Sequence, residues 1–185
     1  MTPSETQFAV QLVQEAKLSG HPFPGYAAAE AFLESADWSS SAGMSVLAEN
    51  YHNIFGQKVS KWWTGKTVQI QTREVLNGVS VMVPATWPVF DSFAEAFAER
   101  LKLLHANPQY YAEALAASSG PEFVRLVSAS WGTLNETPYP VGAAHPQFTF
   151  PSGTYQFVAG RWSTAPNRAT SVLATYNSHP DIFGA

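Results

Sequence analysis

Asn77-Gly78 lies between two runs rich in β-branched residues, within a stretch from Lys66 to Thr86 whose polar and apolar residues alternate. Both positions of a two-residue hairpin turn require positive φ, and Asn-Gly is the pair that tolerates it best. With Asn77 and Gly78 as the loop, Leu76 pairs with Val79, Glu74 with Val81 and Thr72 with Val83. Because side chains alternate along a strand, Val68, Ile70, Thr72 and Glu74 then share one face, and Gln69, Gln71 and Arg73 take the other. On either side of this hairpin the apolar residues recur at helical spacing. A lone hairpin between helical stretches predicts an α+β fold: a mainly helical body, a small β lobe, and a cleft between them suited to a ligand.

The flanking helices have their own signals. Ser4-x-x-Gln7 reads as a capping box before Phe8, Leu12, Val13 and Ala16, which predicts a helix over about 5–18. Ser19 to Gly25 breaks it, and a second helix runs over about 26–36, with Glu30 and Glu34 one turn apart on one face. A short helix is expected over about 43–49. Ser92-x-x-Glu95 is a second capping box, followed by Phe93, Phe97, Leu101 and Leu104 at helical spacing. Further helices are expected over about 110–117, over 120–128 after Gly120-Pro121, and from Pro166-Asn167 with Ala169, Val172, Leu173 and Tyr176 inward. Residues 131–161 hold Pro138, Pro140, Pro146 and Pro151 and read as an irregular insertion in a single domain over 1–185.

Of the 185 residues, 45% are hydrophobic and 13% charged, which is the balance of a folded chain. The formal net charge of −4 argues against a nucleic-acid binder that works by neutralising phosphates. There are no cysteines, so disulfides and thiolate metal sites are excluded. The five histidines form no HExxH pattern and no close pair, so no metal and no cofactor is expected. No apolar stretch approaches a membrane span, and Met1 to Glu5 lacks the basic-then-apolar layout of a secretory signal. The six Trp, seven Tyr and twelve Phe suit either a core or flat platforms for sugar rings.

Glu34, in Ala31-Phe32-Leu33-Glu34-Ser35, is a carboxylate among small and apolar residues. A charge in such a place is either paired, or neutral and available as an acid. Asp37, if near, favours the neutral form further. Asp91 before Ser92 reads as part of a helix cap and His52 as a satisfied or exposed histidine. Asn53-Ile54-Phe55-Gly56 lines a cleft or makes a packed turn. Trp62-Trp63 is either a sugar platform or an anchor for the β lobe.

Four segments occur in order: Ala31-Phe32-Leu33-Glu34-Ser35, Asn53-Ile54-Phe55-Gly56, Thr72-x-Glu74 and Val89-Phe90-Asp91-Ser92. Together they resemble the bacterial peptidoglycan endo-β-N-acetylglucosaminidases of glycoside hydrolase family 73, which include flagellar and autolysin-type enzymes. The resemblance covers about residues 26–130 and resumes at Trp162-Ser163-Thr164-Ala165-Pro166-Asn167. It implies a lysozyme-like α+β fold and cleavage of the β-1,4 bond between N-acetylglucosamine and N-acetylmuramic acid in peptidoglycan glycan strands. It also implies action at the cell wall or periplasm, by an export route the sequence does not reveal. The family's general acid maps to Glu34 and its second acidic residue to Glu74. Asn53, Phe55, Gly56, Trp62, Trp63 and Trp162 are the expected substrate-binding residues.

Glycosidic cleavage needs a proton for the leaving oxygen and stabilisation of an oxocarbenium-like state. Glu74 could activate a water, act at closer range, or yield that role to the substrate's own acetamide. A muramidase or lytic transglycosylase, and a non-catalytic peptidoglycan-binding module of the same fold, are the alternatives. The chain departs from the family at Ala36-Asp37, where Gly-Trp is usual. It also departs at Trp162, Ala165 and Arg168, where the family has Tyr, Asp and Tyr.

Overall fold

The computed structural model describes residues 1–76, 79–128, 147–150, 153–156 and 168–185. Helix α1 (Pro3–Leu18) begins two residues earlier than its sequence pattern suggests. Thr2, not Ser4, is the cap: its hydroxyl accepts from the Glu5 N–H at 3.2 Å, and the Glu5 carboxylate accepts from the Thr2 N–H at 2.6 Å. Pro3 supplies a preset φ at the first helical position, where its missing N–H costs nothing.

Helix α2 (Pro24–Ser35) is the central element and packs against α1 and against three helices that come later in the chain. Ala27, Ala28, Ala29 and Ala31 are fully buried, so α2 is apolar on most of its circumference and its neighbours approach closely. Gly25 marks the tightest approach, because a Cβ there would land on the backbone carbonyl of Phe183.

Helix α3 (Val46–Tyr51) is capped by the Ser45 hydroxyl and ends at His52, whose φ of 52° lies in the left-handed region. Strands β1 (Thr67–Leu76) and β2 (Val79–Pro88) form the hairpin, with Leu76 opposite Val79, Glu74 opposite Val81 and Thr72 opposite Val83. This is the register the Asn-Gly turn demands; residues 77–78 themselves lie outside the described set. Val68, Ile70, Thr72, Val83 and Ala85 are half-buried, while Gln69, Gln71 and Thr86 are exposed, so one face turns inward. Pro84 is accommodated because a two-stranded sheet has only edge strands.

Helix α4 (Phe93–Ala106) is capped by the Ser92 hydroxyl, which accepts from the Glu95 N–H at 3.1 Å. The Glu95 carboxylate turns to the Asp91 N–H at 2.6 Å, so the expected reciprocal box is only half made. Helices α5 (Pro108–Leu115) and α6 (Gly120–Ser128) follow. Within the segment read as irregular, β3 (Gln147–Phe150) and β4 (Gly153–Gln156) pair antiparallel. Four-residue strands between prolines are too short to show a period, which is why the sequence hid them.

Helix α7 (Arg168–Ser178) runs antiparallel to α2: Arg168 reaches the end of α2, and Tyr176 stacks on Tyr26 near its start, with ring centroids 3.9 Å apart. A last turn, α8 (Pro180–Phe183), seats Phe183 in the core. The core is one cluster built around Phe8, Leu12, Phe32, Ile54, Phe90, Phe97 and Phe123.

Candidate active site

Glu30 and Glu34 follow one another along one side of α2, but their environments differ. The Glu30 side chain is 6% exposed and that of Glu34 is 32% exposed. Arg168 joins them: one terminal nitrogen lies 3.2 Å from Glu30 Oε1 and the other forms an ion pair with Glu34 Oε1. On its other oxygen Glu30 is paired with Arg100. Two carboxylates and two guanidiniums thus form a charge-balanced chain running from the core to the surface, with Glu34 at its exposed end.

Arg100 is fully buried between aromatic rings, its guanidinium carbon 4.8 Å from the Phe55 centroid and 5.8 Å from that of Phe123. Burial lowers its pKa from the ordinary value, against the attraction of Glu30 and Tyr111. His21 abuts it, with Nε2 3.4 Å from Arg100 Nη1. The Phe23 N–H donates to His21 Nδ1 at 3.1 Å. Burial first, then the Arg100 charge, pushes His21 down to about 3.

An unfolded His21 binds a proton below about pH 6.5 whereas the folded one does not until about pH 3, so its contribution to stability is complete above 6.5 and falls as the pH drops between those values. The unfolding midpoint is therefore expected to decline on acidification across that window. Each pH unit costs up to about 1.4 kcal/mol. A His21→Asn variant is expected to show a shallower decline in thermal melts.

The end of α2 is tied through backbone to the segment that leads into α3. Ser35 O accepts from the Ser45 N–H at 2.7 Å, and Ala36 bridges Met44. Ser45, Val46 and Leu47 then line a cavity of about 250 Å³ whose opposite wall is Ile70, Gln71, Thr72 and Trp87 of the hairpin. Glu34 therefore adjoins the residue that connects α2 to this inter-lobe space. Glu74 holds the register position two residues beyond Thr72, on the strand face that Thr72 marks. The side chains of residues 73–81 lie outside the described ones.

Of the two alternatives for a carboxylate among apolar residues, paired or neutral, the geometry shows pairing: the Glu34 carboxyl is partly exposed and meets the Arg168 guanidinium. Asp37 does not help to neutralise Glu34: its carboxylate accepts from the Ser39 N–H at 2.9 Å and the Ser39 hydroxyl at 2.6 Å, which hold it below the usual range.

Of the other expected site residues, Asn53, Phe55, Gly56, Trp62 and Trp63 lie between α3 and the start of the hairpin. Asn53 is 1% exposed and closes its own loop, donating to Gln57 O at 2.8 Å and accepting from the Gln57 N–H at 3.0 Å. Phe55 is buried edge-on against Phe97, at 5.2 Å between centroids. Gly56 is exposed with φ 56° and has no neighbour where a Cβ would stand. The Trp62 indole donates to Glu99 at 3.1 Å and that of Trp63 to Lys66 O at 3.0 Å, while Trp63 packs edge-on against Phe90. Trp63 thus anchors the base of the hairpin, whereas Trp62 is tied to α4. His52 Nδ1 lies 2.8 Å from Phe90 O, and Asp91 engages Glu95 through its backbone. Trp162 lies outside the described residues.

Sequence reasoning passed over Arg100, Arg168 and His21 as parts of the site. Arg100 had a visible signal, since it occupies the apolar face set by Phe97 and Leu104, where a charge needs a partner. Among the described residues no group of three His, Asp or Glu could hold a metal ion, and no helix is long and apolar enough to cross a membrane.

The sequence matches the family described as mannosyl-glycoprotein endo-beta-N-acetylglucosaminidase over residues 10–179. The chain belongs to this glucosaminidase family. The glucosaminidase domain is 34% identical over 105 residues to the peptidoglycan hydrolase FlgJ of Salmonella typhimurium, a match over 57% of this chain and 33% of that protein. It is 33% identical over 101 residues to a probable N-acetylmuramidase of Lactococcus lactis subsp. cremoris, over 52% of this chain and 22% of the relative. The domain thus spans about a third or less of these relatives.

Its fold is that of the glycoside hydrolase domain of Salmonella typhimurium FlgJ, with a TM-score of 0.61 at 23% identity, covering 96% of this chain and 98% of the other. The catalytic domain of the autolysin Auto from Listeria monocytogenes gives a TM-score of 0.61 at 19% identity, covering 97% and 87%. The glucosaminidase domain therefore shares the fold of these glycoside hydrolase domains, mostly helical with small two-stranded antiparallel sheets.

Proposed function

We propose that this domain hydrolyses peptidoglycan glycan strands at the β-1,4 bond between N-acetylglucosamine and N-acetylmuramic acid, with Glu34 as the general acid. The observation that carries the proposal is the position of Glu34. It is a partly exposed carboxyl at the end of the central helix, one residue from the backbone link to the inter-lobe cavity. Protonated Glu34 gives its proton to the glycosidic oxygen as the bond to the sugar's anomeric carbon breaks. A water then adds at that carbon and returns a proton to solvent or to a carboxylate. Glu74 is the proposed second carboxylate, from its register position on the strand face that Thr72 marks. The expected place of action is the cell wall or periplasm, where the substrate is.

Release of reducing sugar from purified sacculi tests the proposal. One observation favours a second reading, in which the domain binds the wall without cutting it. A carboxylate held by Arg168 is not in the form an acid catalyst needs. Sedimentation of the protein with sacculi, without release of reducing ends, would support that reading.

A further inference from the structure

We infer that Arg168 is a positioning residue that holds Glu34 as an oriented carboxylate and so sets the pH below which Glu34 can supply a proton. The inference rests on the reading of Glu34 as the acid. Arg168 is 9% exposed, and each of its terminal nitrogens meets a different carboxylate. It cannot swing away from Glu34 while keeping Glu30, and Glu30 is itself fixed from behind by buried Arg100. The fork is therefore held at both ends, and a lysine, with one point charge, could not span the two carboxylates in the same way.

On α2 the neighbour of Glu34 is Glu30, whose charge is met by Arg100 of α4 and Arg168 of α7. His21, ahead of α2, is neutral across the working range, since it titrates at about 3. Asp37, beyond α2, is turned onto Ser39. On the other helices packed against α2, Glu5 of α1 is bonded to Thr2, and Glu122 of α6 to Ser118. Arg125 of α6 and Asp181 of α8 form no ion pair with Glu34 among the described residues. The guanidinium of Arg168 is the cation paired with Glu34 among those residues, and it stabilises the ionised form.

The consequence is an acid-shifted enzyme. A general acid acts only while protonated, so activity falls as the pH rises through the titration of Glu34. Removing the cation moves that limb to higher pH. The test is the pH profile of kcat/KM on purified peptidoglycan, together with ¹³C-carboxyl NMR titration of Glu34, in the parent, Arg168→Gln and Arg168→Lys.

In Arg168→Gln the titration and the alkaline limb are expected to rise together by about one pH unit, which is roughly a tenfold gain in activity above the parent's limb. Arg168→Lys, which keeps the charge but cannot span both carboxylates, is expected to fall between the parent and Arg168→Gln. A folded Arg168→Gln whose titration and limb coincide with the parent's would overturn the inference. If that variant fails to fold, the parent decides alone: Glu34 must titrate below a glutamate in an unstructured peptide, and a higher value overturns the inference. Full activity in Glu34→Gln would instead defeat the underlying reading of Glu34, whatever the titration shows.

Discussion

Glu34→Gln is expected to fold and melt as the parent does, yet to release reducing sugar from sacculi at least about a hundredfold more slowly, the usual range for loss of a general acid being 10² to 10⁴. The two side chains are nearly isosteric, and the amide oxygen can still accept from Arg168. What is lost is the transferable proton. Glu34 is partly exposed at the end of the buried chain, so the substitution leaves the Glu30–Arg100 pair untouched. The stability of this variant therefore separates a chemical role from a structural one. Undiminished hydrolysis would show that the acid lies elsewhere.

Glu30→Leu is expected to have the opposite signature. Glu30 sits at 6% side-chain exposure and is the partner that Arg100 and Arg168 share. Its loss leaves a fully buried guanidinium without this carboxylate, and breaking a buried pair from one side costs about 3–5 kcal/mol. That is a large share of the stability of a domain this size. Replacing both partners, as in Glu30→Leu with Arg100→Met, is expected to recover most of the loss, because it removes the need to pair a charge in the core. Arg168 then keeps Glu34 as its partner. Equilibrium urea unfolding of the two single variants and the double variant gives the coupling directly. Additive losses would mean that the buried pair contributes little as a pair.

Local signals were readable in the sequence and long-range pairings were not. The hairpin register followed from Asn77-Gly78 and strict alternation, because the two strands are joined by the turn that aligns them. Helix α1 and helix α4 followed from their apolar spacing, although the first cap moved to Thr2, where proline preorganises the turn. The ion pairs that join Glu30 and Glu34 to the later helices were not legible. Arg100 and Arg168 lie 70 and 138 residues from Glu30 in sequence, and no local period encodes such a contact. Asn53 shows the same limit from the other side. A short polar motif can serve a substrate or tie its own loop, and here the amide is spent on Gln57.

Arg168 sets a permanent cation against the carboxyl proposed to deliver the proton. It links the site to the core by ion pairs, so changes at Glu30 or Arg100 are expected to reach Glu34 through Arg168.

Mass spectrometry of reduced products from purified peptidoglycan digested by the native domain is the most direct test of the central claim. The account predicts fragments ending in reduced N-acetylglucosamine. Fragments ending in reduced or anhydro N-acetylmuramic acid, or binding with no fragments at all, would contradict it.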